Sequence, residues 1–365
     1  MIVTSLDVTG YRNLSPIHFS PSPLVNVIYG DNAQGKSNLL EAIWIFTGGR
    51  SFRGAKDAEL IAFGQEKANV TLSFFAGGRD QQAEITFENG KRRGLVNGIV
   101  QRSPAAMVGK FCAVIFSPDH LSFVKEGPQE RRKFLDAAIC QIKPAFATAL
   151  NRYNKSILQR NALLKDIYRK PYLIDTLDSW DEAAASLGAI LIRERLRYLD
   201  LLRPKAEELY RGISSQKESL NLAYHTAYPL SEAEMEKSLL IALKQHREID
   251  LKTGTTGVGP HRDDLVIQIN GVPARNFGSQ GQQRSAVLAL KLSEASVLCN
   301  AIGEKPVVLL DDVMSELDLN RQDYLLNHMR DFQVFITCCD PVAVLRLMNG
   351  KSFQMNGGVL SPDQN

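Results

Sequence analysis

The chain has 365 residues, of which 44% are hydrophobic and 23% are charged, and its formal net charge at pH 7 is +3. This length predicts two compact units, and the composition is that of a globular protein rather than a disordered or fibrous one. So small a net charge excludes any argument for nucleic-acid binding from overall charge alone. We find no apolar run that approaches the length of a membrane span, so we expect no membrane protein and no membrane partner.

The N-terminus and the cysteines indicate the compartment. Residues 1–6 lack a basic segment followed by an apolar one, so no secretory signal is predicted. The chain has five cysteines, an odd number without the paired spacing of a metal site, as is typical of a reducing compartment. Cys338 and Cys339 are adjacent inside a predicted strand, where we interpret them as small core residues. We therefore expect a cytoplasmic protein.

The chain begins with an alternating segment over residues 1–14. This pattern predicts an edge strand that ends in a polar corner at Tyr11-Arg12-Asn13. Arg12 is a candidate nucleotide contact, and a solvated turn arginine is the alternative, because a single arginine carries no pattern.

The next segment fits the phosphate-loop pattern G-x-x-x-x-G-K-[ST]. A buried strand is predicted over 24–29 and an amphipathic helix opens at 37–43, in the order that this motif requires. Backbone N–H groups of such a loop and of the helix N-terminus surround the phosphates of a nucleoside triphosphate. Lys36 is predicted to reach the β- and γ-phosphates, and Ser37 to be a Mg²⁺ ligand. The residues predicted to bind nucleotide are Gly30, Asp31, Asn32, Ala33, Gln34, Gly35, Lys36, Ser37 and Asn38.

An antiparallel meander is predicted after the first helix. Strand patterns cover 69–75 and 83–87, with turn dipeptides such as Asn89-Gly90 between or after them. Lys91-Arg92-Arg93 is placed in one of those turns, either as a solvated hairpin tip or as a contact to a phosphate backbone.

Helical periodicity dominates after a buried strand over 111–116. Apolar spacing predicts helices over 129–142, 145–167, 177–202 and 232–247, broken by Pro144, Pro171 and Pro204. We therefore expect a helical lobe over 118–250, inserted into an ATPase lobe that consists of 1–117 and 251–365. The arginine clusters at 131–133 and 193–197 are interpreted mainly as solvated helix faces, with phosphate contacts as the alternative.

Sheet-like patterning returns at 264–269, which we assign to the first lobe. A glycine-bearing turn then leads into an apolar helix over 285–298, which implies a second anion site at a helix N-terminus. A helix cap is the alternative reading of that glycine. The residues of this turn are Ser279, Gln280, Gly281, Gln282 and Gln283.

A hydrophobic strand over 306–312 ends in two adjacent carboxylates. Because neighbouring strand residues point to opposite sides, Asp311 is predicted to orient Mg²⁺ and Asp312 to be the general base that faces the attacking water. The alternative is an aspartate that caps the next helix.

In this order, the motifs resemble the ABC-type ATPase heads of DNA-repair and chromosome-maintenance proteins. A loop of Ser315, Glu316, Leu317 and Asp318 completes the set. Three further stretches, at 11–13, at 116–119 with 131–136, and at 259–265, look like the RecF family, so the resemblance covers essentially the whole chain. It implies an α/β fold: an ABC-type P-loop ATPase head with a mixed sheet, an antiparallel β meander and an inserted, mostly helical lobe. The roughly 240 residues between Ser37 and Ser279 leave no room for a long coiled coil at about 1.5 Å per residue.

The resemblance also implies a function and partners. Such a head binds ATP and Mg²⁺ and dimerises around two ATP molecules, each held between the phosphate loop of one protomer and the turn at 279–283 of the other. Residues 315–318 would cross the dimer seam. RecF-like proteins bind double-stranded DNA and junctions of single and double strand, act with RecR and RecO, and help RecA to replace single-strand-binding protein. We expect such a protein at the nucleoid, in recombinational repair, replication and the SOS response. The candidate DNA contacts are Arg53, Lys56, Arg92 and Arg132.

Two departures from ABC heads bear on catalysis. The histidine expected after the strand over 334–337 is absent, with Thr337-Cys338 in its place, and Asp312 is shorter than the usual glutamate. We therefore expect weak, DNA-stimulated ATP hydrolysis that resets binding. Two other classes stay open, an ABC transporter ATPase subunit and a metabolic P-loop kinase.

Overall fold

The computed structural model describes residues 1–102, 104–121, 123–231, 233–347 and 350–363. Its elements are numbered in chain order. The strands are β1 (Ile2–Thr9), β2 (Ile17–Phe19), β3 (Val25–Tyr29), β4 (Lys67–Ala76), β5 (Arg79–Glu88), β6 (Lys91–Val96), β7 (Ile99–Val100), β8 (Ala113–Phe116), β9 (Leu220–His225), β10 (Asp264–Ile269), β11 (Val272–Pro273), β12 (Val307–Asp311), β13 (Val334–Cys338), β14 (Lys351–Asn356) and β15 (Val359–Pro362). The helices are α1 (Lys36–Trp44), α2 (Pro118–Leu121), α3 (Pro128–Ile142), α4 (Pro144–Ile167), α5 (Leu177–Ile213), α6 (Met235–Gln245), α7 (Arg247–Thr253), α8 (Ala274–Phe277), α9 (Gln280–Ile302), α10 (Leu319–His328) and α11 (Val342–Leu347).

A mixed six-stranded sheet positions the phosphate loop. Its strand order is β15-β14-β3-β13-β12-β8, with every pairing parallel except that of β14 with β15. The central strands are nearly continuous apolar runs because both faces of the sheet are covered. The carboxyl ends of β3, β12 and β13 meet at one edge, where binding loops of such sheets usually lie.

The second six-stranded sheet, β2-β1-β4-β5-β6-β7, is antiparallel throughout. It contains the predicted meander. Two local predictions are wrong. The first strand is not an edge strand, because β1 pairs with both β2 and β4. The basic triplet at 91–93 lies in β6 rather than in a turn, and Arg92 pairs in register with Phe87.

The helices from α3 to α7 pack around α5, which is 37 residues long. Pro204 was expected to end this helix, yet α5 continues through it to Ile213. A proline lacks the N–H group that would bond to the carbonyl of Asp200. Both residues are exposed, so water can satisfy that carbonyl and the interruption is tolerated. The predicted start of the next helix, Glu232, lies outside the described residues, and α6 begins at Met235.

A three-stranded sheet, β11-β10-β9, packs against α3 and α5. β10 pairs with β9 from Asp264 opposite His225 to Ile269 opposite Leu220. Residues 264–269 therefore pair with a strand of the predicted helical lobe and with neither six-stranded sheet. This pairing crosses the predicted boundary at residue 250, and the bounds of the two lobes stay a prediction.

The helix α9 runs through the core beside α5, α3 and β8. Within the described ranges it is the one helix with the length and mean hydropathy of a membrane span, 1.4 over its most apolar window. The prediction that no apolar run reaches that length is therefore wrong. Since 72% of that window is buried inside the protein, core packing accounts for its composition.

Candidate nucleotide site

The phosphate loop (residues 30–37) connects β3 to α1, with Lys36 as the first residue of the helix. Gly30, Ala33 and Gly35 all have positive φ, at 151°, 64° and 111°. A Cβ atom at Gly30 would lie 2.3 Å from the carbonyl oxygen of Met355, so space as well as conformation requires glycine there. The helix N-terminus and the turn of the loop form a cradle for an anion.

The Lys36 ammonium lies over this loop. Its Nζ donates to the carbonyl oxygens of Gly30 at 2.6 Å and Asp31 at 2.8 Å. Both partners are neutral, so the full positive charge of the buried side chain is available to an anion in the cradle. Asp31, Asn32 and Ala33 are exposed, which leaves one side of the loop open.

Asp311 ends β12 beside the first turn of α1. Its Oδ1 accepts a hydrogen bond from Thr337 Oγ1 at 2.9 Å, and Ser37 also hydrogen-bonds to this carboxylate. Burial raises the pKa of Asp311, while the bonds from Ser37 and Thr337 and the charge of Arg53 act in the opposite direction. The structure thus brings together the two oxygen ligands predicted for Mg²⁺.

Asp312 lies beyond the end of β12. Its φ is 52°, in the left-handed region that is rare for residues other than glycine. Strand alternation was predicted to give the two carboxylates different roles. This cause is wrong, because Asp312 is not part of the strand. Burial raises the pKa of Asp312, the charge of Lys36 lowers it and Glu316 raises it. The Asp312 N–H donates to Thr337 Oγ1 at 2.9 Å, so Thr337 holds both aspartates.

Residues from both ends of the chain hold the phosphate loop. Asn13 Nδ2 donates to the carbonyl of Ala33 at 3.2 Å. On the other side lies the turn between β14 and β15, where Gly357 N–H donates to Gln34 Oε1 at 2.6 Å and Gly358 N–H to the Gln34 carbonyl at 2.9 Å. A Cβ atom at Gly358, where φ is 83°, would lie 2.0 Å from the carbonyl oxygen of Asn13.

Two predicted arginine contacts border this loop. Arg12 forms a two-bond pair with Glu41 of α1, at 2.9 and 3.1 Å, and so anchors the helix that follows the loop. Its contact with nucleotide stays a prediction. Arg53 Nη1 donates to Asn38 Oδ1 at 2.7 Å, and Asn38 Nδ2 donates to Asn13. Arg53, predicted as a DNA contact, therefore lies at the edge of the nucleotide site.

The signature turn (residues 279–283) caps α9. Ser279 Oγ accepts from the Gln282 N–H at 3.2 Å, and Gln282 Oε1 accepts from the Ser279 N–H at 2.8 Å. Gln283 is buried, and its Nε2 donates to the carbonyls of Ala274 and Gly278. Ser279 and Gln280 are exposed. Within the described part of the chain, no hydrogen bond or ion pair joins this turn to the phosphate loop.

Two arginines that the sequence did not single out join the signature turn to the seam loop (residues 315–318). Arg321 pairs with Asp318, the cap of α10, and donates to the Gly281 carbonyl at 3.1 Å. Arg284 pairs with Glu316 at 2.7 Å. Ser315 is exposed and Leu317 is buried, so the seam loop is fixed from inside while its polar edge faces outward.

The predicted basic contacts differ in exposure and in partners. The Arg92 side chain is 7% exposed, pairs with Asp57 and donates to the Gly49 carbonyl at 2.8 Å, which favours a structural role. Arg132 is half-buried and donates to the Asp263 carbonyl at 2.6 Å, whereas Lys56 is exposed. The reading of the arginine clusters as solvated faces is wrong for two members. Arg131 is buried against Asp264 and Arg195 against Asp136.

The two adjacent cysteines have different positions. Cys338 is buried in β13, as predicted, but Cys339 is exposed beyond the strand, so its interpretation as a core residue is wrong. Cys339 Sγ lies 4.0 Å from Lys36 Nζ and 3.4 Å from Asn32 Oδ1. At the place of the missing histidine, Thr337 holds the aspartates and Cys338 is buried, and the next residue, Cys339, borders the loop.

Comparison with known proteins decides the family. A family model described as "RecF/RecN/SMC N terminal domain" matches residues 2–356. The chain is 40% identical to the DNA replication and repair protein RecF of Ruminiclostridium cellulolyticum, over 98% of each chain. The chain belongs to the RecF family.

Solved structures agree with this RecF-family assignment. One described as the recombination mediator protein RecF-ATP in the RecFOR pathway superimposes with a TM-score of 0.92 at 39% identity, covering 99% of this chain and 97% of that one. The Smc head domain of Pyrococcus furiosus, solved with an extended coiled coil, has a TM-score of 0.55 at 16% identity over 99% of this chain and 96% of that one, and shares the fold alone. The predicted fold class, an ABC-type P-loop ATPase head, is confirmed.

Proposed function

We propose that this RecF-family chain is an ATP-dependent DNA-binding protein of recombinational repair. In this proposal it dimerises around two ATP molecules, binds duplexes and junctions of single and double strand, and hydrolyses ATP slowly to reset binding. The observation that carries the proposal is the convergence of Lys36, Ser37 and Asp311 on one anion cradle at the sheet edge. The ATP in a solved RecF structure, described as RecF-ATP, supports ATP as the nucleotide.

The phosphate loop would hold the β- and γ-phosphates through its N–H groups, the N-terminus of α1 and Lys36. Ser37 and Asp311 would hold Mg²⁺. This ion usually takes about two protein oxygens and leaves its remaining positions to phosphate and water. When bound, it neutralises phosphate charge.

Asp312 is the proposed general base. Burial raises its pKa, which makes the carboxylate a better proton acceptor than an ordinary aspartate, and its backbone is left-handed beyond the end of β12. Thr337 is hydrogen-bonded to both the backbone of Asp312 and the carboxylate of Asp311, so it fixes the position of one aspartate relative to the other. The base then removes a proton from a water that attacks the γ-phosphate.

The signature turn is proposed to act on the nucleotide of a partner protomer. It has no bond to the phosphate loop of its own chain in the described residues, yet it presents a helix N-terminus with a small residue, Ser279. Phe277 and Leu319, beside the signature turn and the seam loop, are 71% and 72% exposed. Large apolar side chains exposed next to a polar site are typical of a surface that another chain covers. ATP occupancy and dimerisation would then be thermodynamically linked.

The wider role follows from the family. The RecF name and the RecFOR pathway in the descriptions of relatives support action with RecO and RecR in the cytoplasm at the nucleoid. We propose that the protein thereby assists RecA on DNA coated with single-strand-binding protein, in replication, repair and the SOS response. Family membership favours this role over a transporter subunit or a metabolic kinase.

Nucleotide-dependent DNA binding tests the proposed function. A fluorescent junction DNA should bind at least about tenfold more tightly with ATP–Mg²⁺ than with ADP, and Lys36→Met should abolish the difference because it removes the charge over the loop. Lys237→Met is the control, since Lys237 is exposed and pairs with Glu234 of its own region. If the Lys36 variant kept the ATP-dependent gain, the proposed coupling would be wrong.

The turn at 357–358 should control ATP affinity. Gly358→Ala places a Cβ against Asn13 and would push the phosphate loop out of position, which we expect to weaken ATP binding about tenfold to a hundredfold. Gly357→Ala is a matched control, because Gly357 also has positive φ, at 54°, but nothing lies within 4 Å of its Cβ. Titration with a fluorescent ATP analogue measures both. Equal affinities for the two variants would show that the turn does not position the loop.

A further inference from the structure

The exposed face of α4 carries cations that have no partners. Arg152, Lys155 and Lys165 lie on this helix, and Arg169 and Lys170 follow its end; all five are exposed. None of the five side chains forms an ion pair or a hydrogen bond with a described residue. The single acidic residue of α4 is Asp166, so the face has a net positive charge.

These cations form one row. At about 100° per residue, positions 152, 155 and 165 of α4 fall within an arc of about 140° and extend over about 20 Å of helix, and Arg169 follows two residues after its end. The opposite side of α4, which includes Tyr153, Ile157 and Leu164, is buried in the core against α5. The row is therefore held in place by packing and faces solvent along its length.

The neighbouring helix α5 carries several cations whose charge is matched. Three of them pair with acids one turn away: Arg197 with Glu194, Lys205 with Glu208 and Arg211 with Glu207. Such pairs are the usual state of a solvated helix face. The cations of α4 lack them, and their charge is available to an outside anion.

Exposed aromatic side chains continue the row. Tyr168 is 91% exposed and Tyr172 is 70% exposed, on either side of Arg169 and Lys170. Cations that follow a phosphate backbone, combined with rings on which bases stack, are the means by which proteins hold single-stranded nucleic acid. An acidic protein surface would match the charges but would give the two rings no flat partner.

We propose that the exposed face of α4 and the turn at 168–172 bind single-stranded nucleic acid. The backbone would follow Arg152, Lys155, Lys165 and Arg169, and bases would stack on Tyr168 and Tyr172. This inference rests on the proposed function in that it assumes a DNA-binding protein, but it names a surface outside the nucleotide site. None of the four candidate DNA contacts from the sequence lies on this face.

Charge removal on the two helices tests the row. The triple variant Lys155→Gln, Lys165→Gln, Arg169→Gln should bind an oligothymidine at least tenfold more weakly than wild type at low salt. Its plot of log affinity against log salt should lose about 2 units of slope, at about 0.7 per phosphate contact. The control triple Arg197→Gln, Lys205→Gln, Arg211→Gln changes the net charge equally and should keep both affinity and slope.

Removal of the rings tests the stacking. Tyr168→Ala with Tyr172→Ala should lower oligothymidine affinity at least about fivefold without changing the salt slope, because the rings contact bases rather than phosphates. The corresponding double change to Phe keeps both rings and should keep the affinity.

The outcomes separate this surface from the proposed function. Equal oligothymidine binding by the two charge variants would overturn the α4 surface alone, provided that wild type binds junction DNA with ATP–Mg²⁺. Wild type that binds neither probe would overturn the surface and the proposed function together. A charge variant that loses binding to polyglutamate but keeps oligothymidine would assign the face to an acidic protein and overturn the nucleic-acid reading.

Discussion

Asp312→Asn should slow ATP hydrolysis by about 10²- to 10⁴-fold, the range that a positioned general base contributes, while ATP binding persists. Asparagine has nearly the same shape and also tolerates the left-handed backbone of this position, so the fold is retained. If hydrolysis releases the dimer, as proposed, the dimer formed with ATP should then stay assembled. Single-turnover phosphate release measures the rate, and size-exclusion chromatography over time measures the persistence of the dimer.

Asp311→Asn is the matched control for this prediction. It removes the carboxylate of the metal side rather than the base, so we expect ATP affinity to lose its dependence on Mg²⁺.

The hydrolysis rate of the wild-type protein should fall in acid at a pH above the range in which an ordinary aspartate is protonated. Burial raises the pKa of Asp312, and protonation removes the base. Hydrolysis by Asp312→Asn at the wild-type rate would show that another group is the base.

Ser279→Arg and Lys36→Met should each abolish ATP hydrolysis, and a mixture of the two should restore part of it. The bulky cation at Ser279 blocks the signature turn, and the methionine disables the phosphate loop. In a mixed dimer, the intact phosphate loop of one protomer faces the intact signature turn of the other, which leaves one complete site. An equal mixture should therefore reach about a quarter of the wild-type rate, because half of the dimers are mixed and each has one of two sites.

Steady-state hydrolysis across mixing ratios measures this restoration, which should peak at equal amounts. If mixtures of the two variants stayed inactive at every ratio, the signature turn would act on the nucleotide of its own protomer or would take no part in hydrolysis.

The phosphate loop could be predicted because its chemistry is contiguous. Gly30, Gly35, Lys36 and Ser37 occur within eight residues, and their conformation follows from positive φ and a helix N-terminus. Asp311 was found for a related reason, since an apolar run that stops at a carboxylate predicts a strand end. Local patterns of this kind need no knowledge of tertiary contacts.

The residues that hold this loop could not be predicted, because they come from the ends of the chain. Asn13 and Gly358 are 345 positions apart and meet over Gln34 and Ala33. No pattern in one sequence records such a contact. The pairing of β9 with β10 was missed for the same reason, because 38 residues and two helices separate the strands.

Basic residues were the least predictable class. Arg131 and Arg195 have the sequence context of a solvated face but are buried in ion pairs, whereas Arg152 and Lys155 have a similar context and no ion pair with a described residue. The distinction depends on which acids fold against them, not on the spacing of the cations. Arg321 did leave a signal, since its partner Asp318 is the helix cap three residues before it.

The molar mass of the wild-type protein, measured by light scattering without nucleotide, with ADP and with ATP–Mg²⁺, tests the central claim most directly. That claim is a site completed by two protomers around ATP. We predict a mass that doubles with ATP–Mg²⁺ alone, because only ATP contacts both the phosphate loop and the signature turn. A protein that stays monomeric with saturating ATP–Mg²⁺, although it binds the nucleotide, would contradict the shared site.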